Sequence, residues 1–361
     1  MFVRFIQIAV FLAAAGIAQA GNYLTEKPNE TFADLYGRLG IVPTEKIVRD
    51  PQVWSLLEHL NREQCDQRSI TDLGLLLDKR GYRREAAESL YNFVRICGAP
   101  ISALRRSINL FLVLTDYPKA VEVADDFVRR APTDHDAYYL RGIALQGAGD
   151  FRRAVTDYAN AIELYGKDKR GISERVFVRM ASAYAALGRY CEATTPILTW
   201  VALDPTNRDN SASQKIIADY ERRGNCPSFS EFRNERYALP GQRNVVTVKA
   251  TINDVQGTFI LDTGASYVSV KAGFAQRANI PKTNSEIRLT TANGQATGEL
   301  SKAEKVSLGR LEARDVPVVV QKKDEKGYGP RVDGLLGMSF LSRFEIQLAG
   351  GFIEIRTRSR K

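Results

Sequence analysis

Five consecutive residues, Asp262-Thr263-Gly264-Ala265-Ser266, hold the clearest chemistry this sequence offers. One apolar run, Thr258-Phe259-Ile260-Leu261, precedes them, and a second, Tyr267-Val268-Ser269-Val270, follows. The pattern predicts a strand, a tight turn bearing a carboxylate, and another strand. Gly264 lets the backbone turn sharply and leaves room for a second backbone or a ligand beside the acid. About 70 residues later comes an apolar-apolar-glycine element, Asp333-Gly334-Leu335-Leu336-Gly337, and Asn293-Gly294 between the two is a hairpin signal. A carboxylate so placed can move a proton to or from water. Taken alone, it is equally a structural turn cap. Other chemistries lack their parts. The only histidines, His59 and His135, lie in the helical half, so Ser266 has no local base to make it a nucleophile. Zinc-type cysteine spacing, a Walker loop and a dinucleotide fingerprint are absent from the sequence, which therefore calls for no metal or cofactor.

Those three features, in that order, resemble the retropepsin-like aspartic proteases, single-lobed relatives of pepsin, over roughly residues 240 to 356. The resemblance implies a closed, mostly antiparallel β-barrel with Asp262 as the catalytic aspartate. It makes Thr263 the hydroxyl that braces paired loops and Gly264 the glycine beneath the substrate. Leu335, Leu336 and Gly337 become the segment packed behind the catalytic loop. Ala292 to Gly298 become a flap over the cleft, with Ala292, Asn293 and Gly294 at its tip. Serine at 266 is similar to the bacterial and pepsin-type versions rather than to the viral ones. For Asn293-Gly294 the turn requirement for positive φ comes first and closure second. Leu335-Leu336-Gly337 is likewise core packing first.

An aspartic protease needs two facing carboxylates that share one proton. This chain has a single Asp-Thr-Gly and a C-terminal domain of about 120 residues, so the second aspartate must be Asp262 of another copy in a twofold dimer. In the resemblance, chain-end strands make much of that interface. Phe352-Ile353-Glu354-Ile355 is the candidate, with an edge strand of the monomer as the plainer reading.

The elements that precede this domain are helical. Alanines at 86, 120, 154 and 193 each follow a turn position (Gly81, Thr115, Gly149, Gly188) by about five residues. Their spacing is 34, 34 and 39, the last stretched by the polar insert Gly166-Lys167-Asp168-Lys169-Arg170-Gly171. A 34-residue period of helix–turn–helix units is that of tetratricopeptide repeats. Ser211 to Arg222 would be the solvating cap helix. Hairpin geometry then pairs the four cysteines as Cys65–Cys97 and Cys191–Cys226, against the alternative of four free thiols. An even cysteine number suits an oxidising compartment.

The resulting organisation is a two-domain α + β chain. Residues 1–20 form a signal peptide, with Arg4 before an apolar stretch and Ala18-Gln19-Ala20 at the cleavage positions. A helical extension spans 21–66, the repeat domain 67–224, a linker 225–242, and the retropepsin-like domain 243–361. In that last domain Val246, Val248 and Ala250 alternate with polar neighbours, Val255 to Leu261 returns across Asn253-Asp254, and a short helix is expected near Phe340 to Arg343. The apolar leader is short for a bilayer span, and no later run reaches that length, so a secreted, periplasmic protein is expected. The net charge of +9 gathers partly in the tail Arg356 to Lys361, which reads as a solvated end rather than a nucleic-acid contact.

Three functions compete. The first is a homodimeric aspartic endopeptidase acting on polypeptides, with repeats that recruit a protein partner or substrate. The second is a non-catalytic peptide-binding scaffold of the same shape. The third is an envelope assembly factor whose partner would depend on Tyr138, Tyr139 or Arg141 in the repeats.

Overall fold

The computed structural model describes residues 31–166, 169–226, 233–239, 245–291, 294–322, 329, 331–349 and 352–358. The expected signal peptide 1–20 and the flap-tip residues Ala292 and Asn293 lie outside the described residues. So do parts of the linker and of the loop between 322 and 331. The chain divides into two compact units, Met1–Arg130 and Ala131–Lys361.

Within the first unit the helices are α1 (Ala33–Leu39), α2 (Glu45–Val48), α3 (Pro51–Arg62), α4 (Gln67–Lys79), α5 (Arg83–Cys97), α6 (Ile101–Val113) and α7 (Tyr117–Arg130). The second unit begins with α8 (His135–Gly147), α9 (Phe151–Leu164), α10 (Glu174–Ala186), α11 (Tyr190–Leu203), α12 (Pro205–Arg208) and α13 (Ser211–Gly224). From α4 onward the helices pair as hairpins with the expected period. The turn residues Gly81, Thr115, Gly149 and Gly188 all have positive φ, at 90°, 56°, 82° and 74°. Glycine occupies three of the four because a Cβ is unfavourable there. Ala86, Ala120, Ala154 and Ala193 are fully buried where the paired helices cross. Gly142 crosses so tightly that a Cβ would sit 2.7 Å from Cε1 of the buried Tyr158. Cys65 bonds Cys97 and Cys191 bonds Cys226, each pair with Cα atoms 5.5 Å apart, the pairing that antiparallel hairpins predict. The cap helix α13 is N-capped by Asn210, whose carboxamide oxygen accepts from the amides of Ala212 and Ser213.

Among the described residues ten strands follow: β1 (Asn234–Ala238), β2 (Val246–Ile252), β3 (Val255–Leu261), β4 (Val268–Val270), β5 (Glu286–Thr291), β6 (Gly294–Leu308), β7 (Leu311–Gln321), β8 (Gly334–Leu336), β9 (Phe344–Ala349) and β10 (Phe352–Thr357). Two short helices, α14 (Ala272–Arg277) and α15 (Met338–Leu341), interrupt them. The larger sheet runs β2-β3-β8-β4-β7-β6-β5, and β2 also meets β6 at Thr251↔Ser307 and Ile252↔Val306. It is mixed: β3–β8 and β4–β7 are parallel, the other pairs antiparallel. In β2, Val246, Val248, Ala250 and Ile252 point into the core and Thr247 and Lys249 point out, as the alternation predicts. Asn253 and Asp254 both adopt positive φ, which closes the β2–β3 hairpin. The core joins these residues to Phe259, Val268, Val270, Phe274, Val318, Leu336, Phe340 and Phe344.

Three expectations change. Strand β10 is neither an edge nor free to pair with a second copy, because β1 and β9 occupy both of its hydrogen-bonding sides in a three-stranded sheet. The edges of that sheet are β1 and β9. Strand β1 comes from the expected linker, whose Asn234 to Ala238 pair with Arg356 to Phe352. The predicted helix near Phe340 starts two residues earlier, at Met338, because Gly337 supplies its N-cap.

Candidate active site

Asp262 is the first residue after β3, in the loop that leads to β4. Strand β8 runs between those two, parallel to β3 and antiparallel to β4. Backbone bonds from that strand and from the helix after it lace the loop. Asp262 N–H donates to Leu336 O at 3.0 Å, Met338 N–H to Ala265 O at 2.8 Å, and Ser339 N–H to Ser266 O at 2.9 Å. Inside the turn, Gly264 N–H donates to Asp262 Oδ1 at 2.9 Å, fixing the direction of the carboxylate. Asp262 is half-buried, while Thr263 and Gly264 are exposed at the tip. An acid that keeps an open side while one oxygen is held by an amide is placed to take a proton from water.

The supporting glycines have a steric reason. A Cβ on Gly337 would lie 2.2 Å from Tyr267 O, and one on Gly334 would lie 1.9 Å from Ser269 O, so β8 fits between its neighbours only without side chains there. Leu336 is fully buried and anchors the loop to the core, whereas Leu335 is half-buried. Asp333 holds the start of the strand: its Oδ2 accepts from Thr258 N–H at 2.9 Å. Burial pushes the Tyr267 phenol well above its ordinary pKa, so the residue directly after the loop stays neutral.

The structure thus brings Asp262, Thr263, Gly264 and Ser266 together with Leu335, Leu336 and Gly337. Gly294 opens β6 opposite Thr291, at the tip of the β5–β6 hairpin. Three contributors escaped sequence reasoning. Ser339, fully buried, accepts from Val268 N–H through its Oγ at 2.8 Å. Lys169 Nζ donates to Ser266 Oγ at 2.6 Å. Asn160, from α9, bonds the backbone of β5. The polar insert around Lys169 was a visible interruption of the repeat period, but nothing in its composition named a target.

Two repeat residues expected to face a partner are engaged internally. Tyr138 is buried, its hydroxyl donating to Pro132 O and accepting from Arg288 Nε at 3.0 Å. Arg141 forms a two-pronged ion pair with Asp157, at 2.7 and 2.8 Å. Arg141 thus pairs the buried Asp157 carboxylate, and the hydroxyl of the buried Tyr138 finds its partners within the fold, which explains their inward orientation.

Residues 248–340 match the family model of aspartyl proteases. The chain therefore carries an aspartyl-protease-like domain after tetratricopeptide-like helix pairs. A retropepsin-like aspartic protease from Rickettsia conorii is 23% identical, over 35% of this chain and 92% of that one, with a TM-score of 0.29. MamA from Desulfovibrio magneticus RS-1, from residue 41 to its end, is 17% identical over 50% of this chain and 97% of its own, at 0.36. YrrB, a repeat protein with an unusual peptide-binding site, is 15% identical over 46% and 82%, at 0.37. A search of curated proteins finds no match.

Proposed function

We propose that the protein is a secreted, periplasmic aspartic endopeptidase, active as a homodimer with one Asp262 from each chain. The observation that carries this reading is the Asp262 turn. Its carboxylate is held by Gly264 N–H with an open side, in a segment of aspartyl-protease type, while Thr263 and Gly264 stand exposed at its tip. Two such turns facing across a twofold axis would share one proton. The ionised partner then draws a proton from water, which attacks the peptide carbonyl, and the protonated partner donates to the developing oxyanion. Thr263 would brace the paired turns, the β5–β6 hairpin would close over substrate, and the curled sheet would complete a barrel behind them. With β10 paired on both sides, the second copy would approach through the turn tips and the β9 edge, which no described strand pairs and where Leu348 is 69% exposed.

Two disulfides support an oxidising compartment. No helix among the described residues is long and apolar enough to cross a membrane. The repeat helices would recruit a protein partner or substrate.

The test uses the purified full-length chain and an unfolded protein substrate. Wild type should cleave it in a pepstatin-sensitive manner and sediment as a dimer. Asp262→Ala should lose at least roughly a hundredfold in rate while keeping its circular dichroism. Retained cleavage by that variant refutes the proposal, and peptide binding without turnover by wild type identifies a scaffold instead.

A further inference from the structure

Strand β5 ends the larger sheet, so its outer edge exposes backbone groups that another strand would ordinarily satisfy. The Asn160 carboxamide takes that place. Its Nδ2 donates to Glu286 O at 3.2 Å and its Oδ1 accepts from Arg288 N–H at 2.7 Å. One planar amide therefore copies the donor and acceptor of a neighbouring peptide. Thr290 Oγ1 donates to Glu163 O at 3.2 Å, so the same helix, α9, grips the strand at a second point.

Glu163 follows Asn160 by three residues on one helix face, and its carboxylate binds Lys169 Nζ at 3.1 Å. The two side chains are only 4% and 13% exposed. The ammonium is thus largely desolvated, and it directs another donor to Ser266 Oγ, in the turn that holds Asp262. Lys169 belongs to the insert that breaks the 34-residue period. Helix α9 and the turn after it consequently touch both elements of the protease-like site, the hairpin strand on one side and the Asp262 loop on the other.

We infer that Asn160 and Lys169 are positioning residues of this site, setting the β5–β6 hairpin and the Asp262 loop on a common helical support. The repeat helices of the second unit are then part of the site's architecture and not only a recruiting module. The kinetic part rests on the endopeptidase reading, whereas the structural part does not. A purely adhesive role would lower the melting temperature when these residues are changed and leave backbone exchange and turnover alone below melting.

The experiment compares full-length wild type with Asn160→Ala, Lys169→Met and Lys169→Arg by amide hydrogen exchange and by peptide hydrolysis, well below the melting temperature. In Asn160→Ala, exchange over residues 286–291 should quicken roughly tenfold or more. In Lys169→Met, exchange over 262–268 should quicken and kcat should fall by about tenfold, with KM within about a factor of two. Lys169→Arg should recover most of both. Unchanged exchange in those two segments overturns the inference, as does a lowered melting temperature with normal exchange and kcat. Quickened exchange in a protein whose wild type hydrolyses nothing upholds the positioning role and refutes the endopeptidase reading.

Discussion

Helices α7 and α9 lie one 34-residue period apart, and their outward faces have opposite fates. Ala120 and Ala154, at the same place in the period, are both fully buried against the preceding helix. At the next shared position, Asp126 in α7 stays within its own helix, binding Arg129 at 2.9 Å and Arg130 at 3.0 Å. Asn160 in α9 instead reaches β5, well over a hundred residues ahead. One period before Asp126, Asn92 donates to Leu39 O at the end of α1, at 3.2 Å. The period thus fixes how the helices pair. A single buried polar residue at that position then decides whether the helix bonds only to itself or holds another element. Repeats build a scaffold from local contacts, whereas the site depends on contacts between distant segments.

That contrast is sharpest where a distant contact leaves no space. Gly334→Ala should cost roughly 4 kcal/mol or more, because the new Cβ would meet backbone and no rotamer relieves it. Urea unfolding of full-length protein measures this, and a loss below about 1 kcal/mol would break the distinction between local and distant packing.

Next in size is the pair at shared positions. Asn160→Ala should destabilise the second unit by about 2 kcal/mol, since it removes the partner of two part-buried backbone groups on β5. Asp126→Ala should cost the first unit less, about 1 kcal/mol or below, because its ion-pair partners reach solvent. Equal losses would erase the difference between the two faces.

Alkali should separate the units as well. Burial raises the phenol pKa of Tyr158, Tyr184 and Tyr267 in the second unit, Tyr267 well above the ordinary value. In the first unit Tyr36 and Tyr91 are raised for the same reason. Unfolded tyrosines release protons near pH 10 and these folded ones do not, so the native state binds more protons there and stability falls as pH rises above about 10. Trp54 and Trp200, the only tryptophans, report on each unit separately in single-tryptophan variants. The Trp200 signal should change at the lower pH, and the reverse order would contradict the burial argument.

The smallest effect lies within the repeats. Thr115→Gly should stabilise the α6–α7 turn by roughly 1 kcal/mol, because Thr115 holds a left-handed φ of 56° that the other three repeats give to glycine. Thermal melting checks it, and any destabilisation would mean that the threonine side chain contributes more than its backbone strain costs.

Much of this was legible beforehand because it repeats locally. The alanine and glycine period located four helix hairpins, and antiparallel pairing then fixed both disulfides. Alternating valines and Asn253-Asp254 defined the β2–β3 hairpin, and the Asp262 turn was marked by its flanking apolar runs. Other features lacked a local signal. Asn234 to Ala238 reads as polar linker, because a strand completed by Phe352 to Arg356 needs no alternation of its own. Ser339 and Asn160 are ordinary polar residues until a backbone amide or strand edge lies opposite.

The sequence by itself determined the helix pairs, the cysteine partners and the residue in the turn that can carry a proton, because each follows from spacing along a few dozen residues. Only the tertiary structure decided that β10 is enclosed on both sides, that Tyr138 and Arg141 turn inward, and that Asn160 and Lys169 reach the protease-like site. Those outcomes depend on which distant backbone groups need a hydrogen-bond partner once the chain has folded.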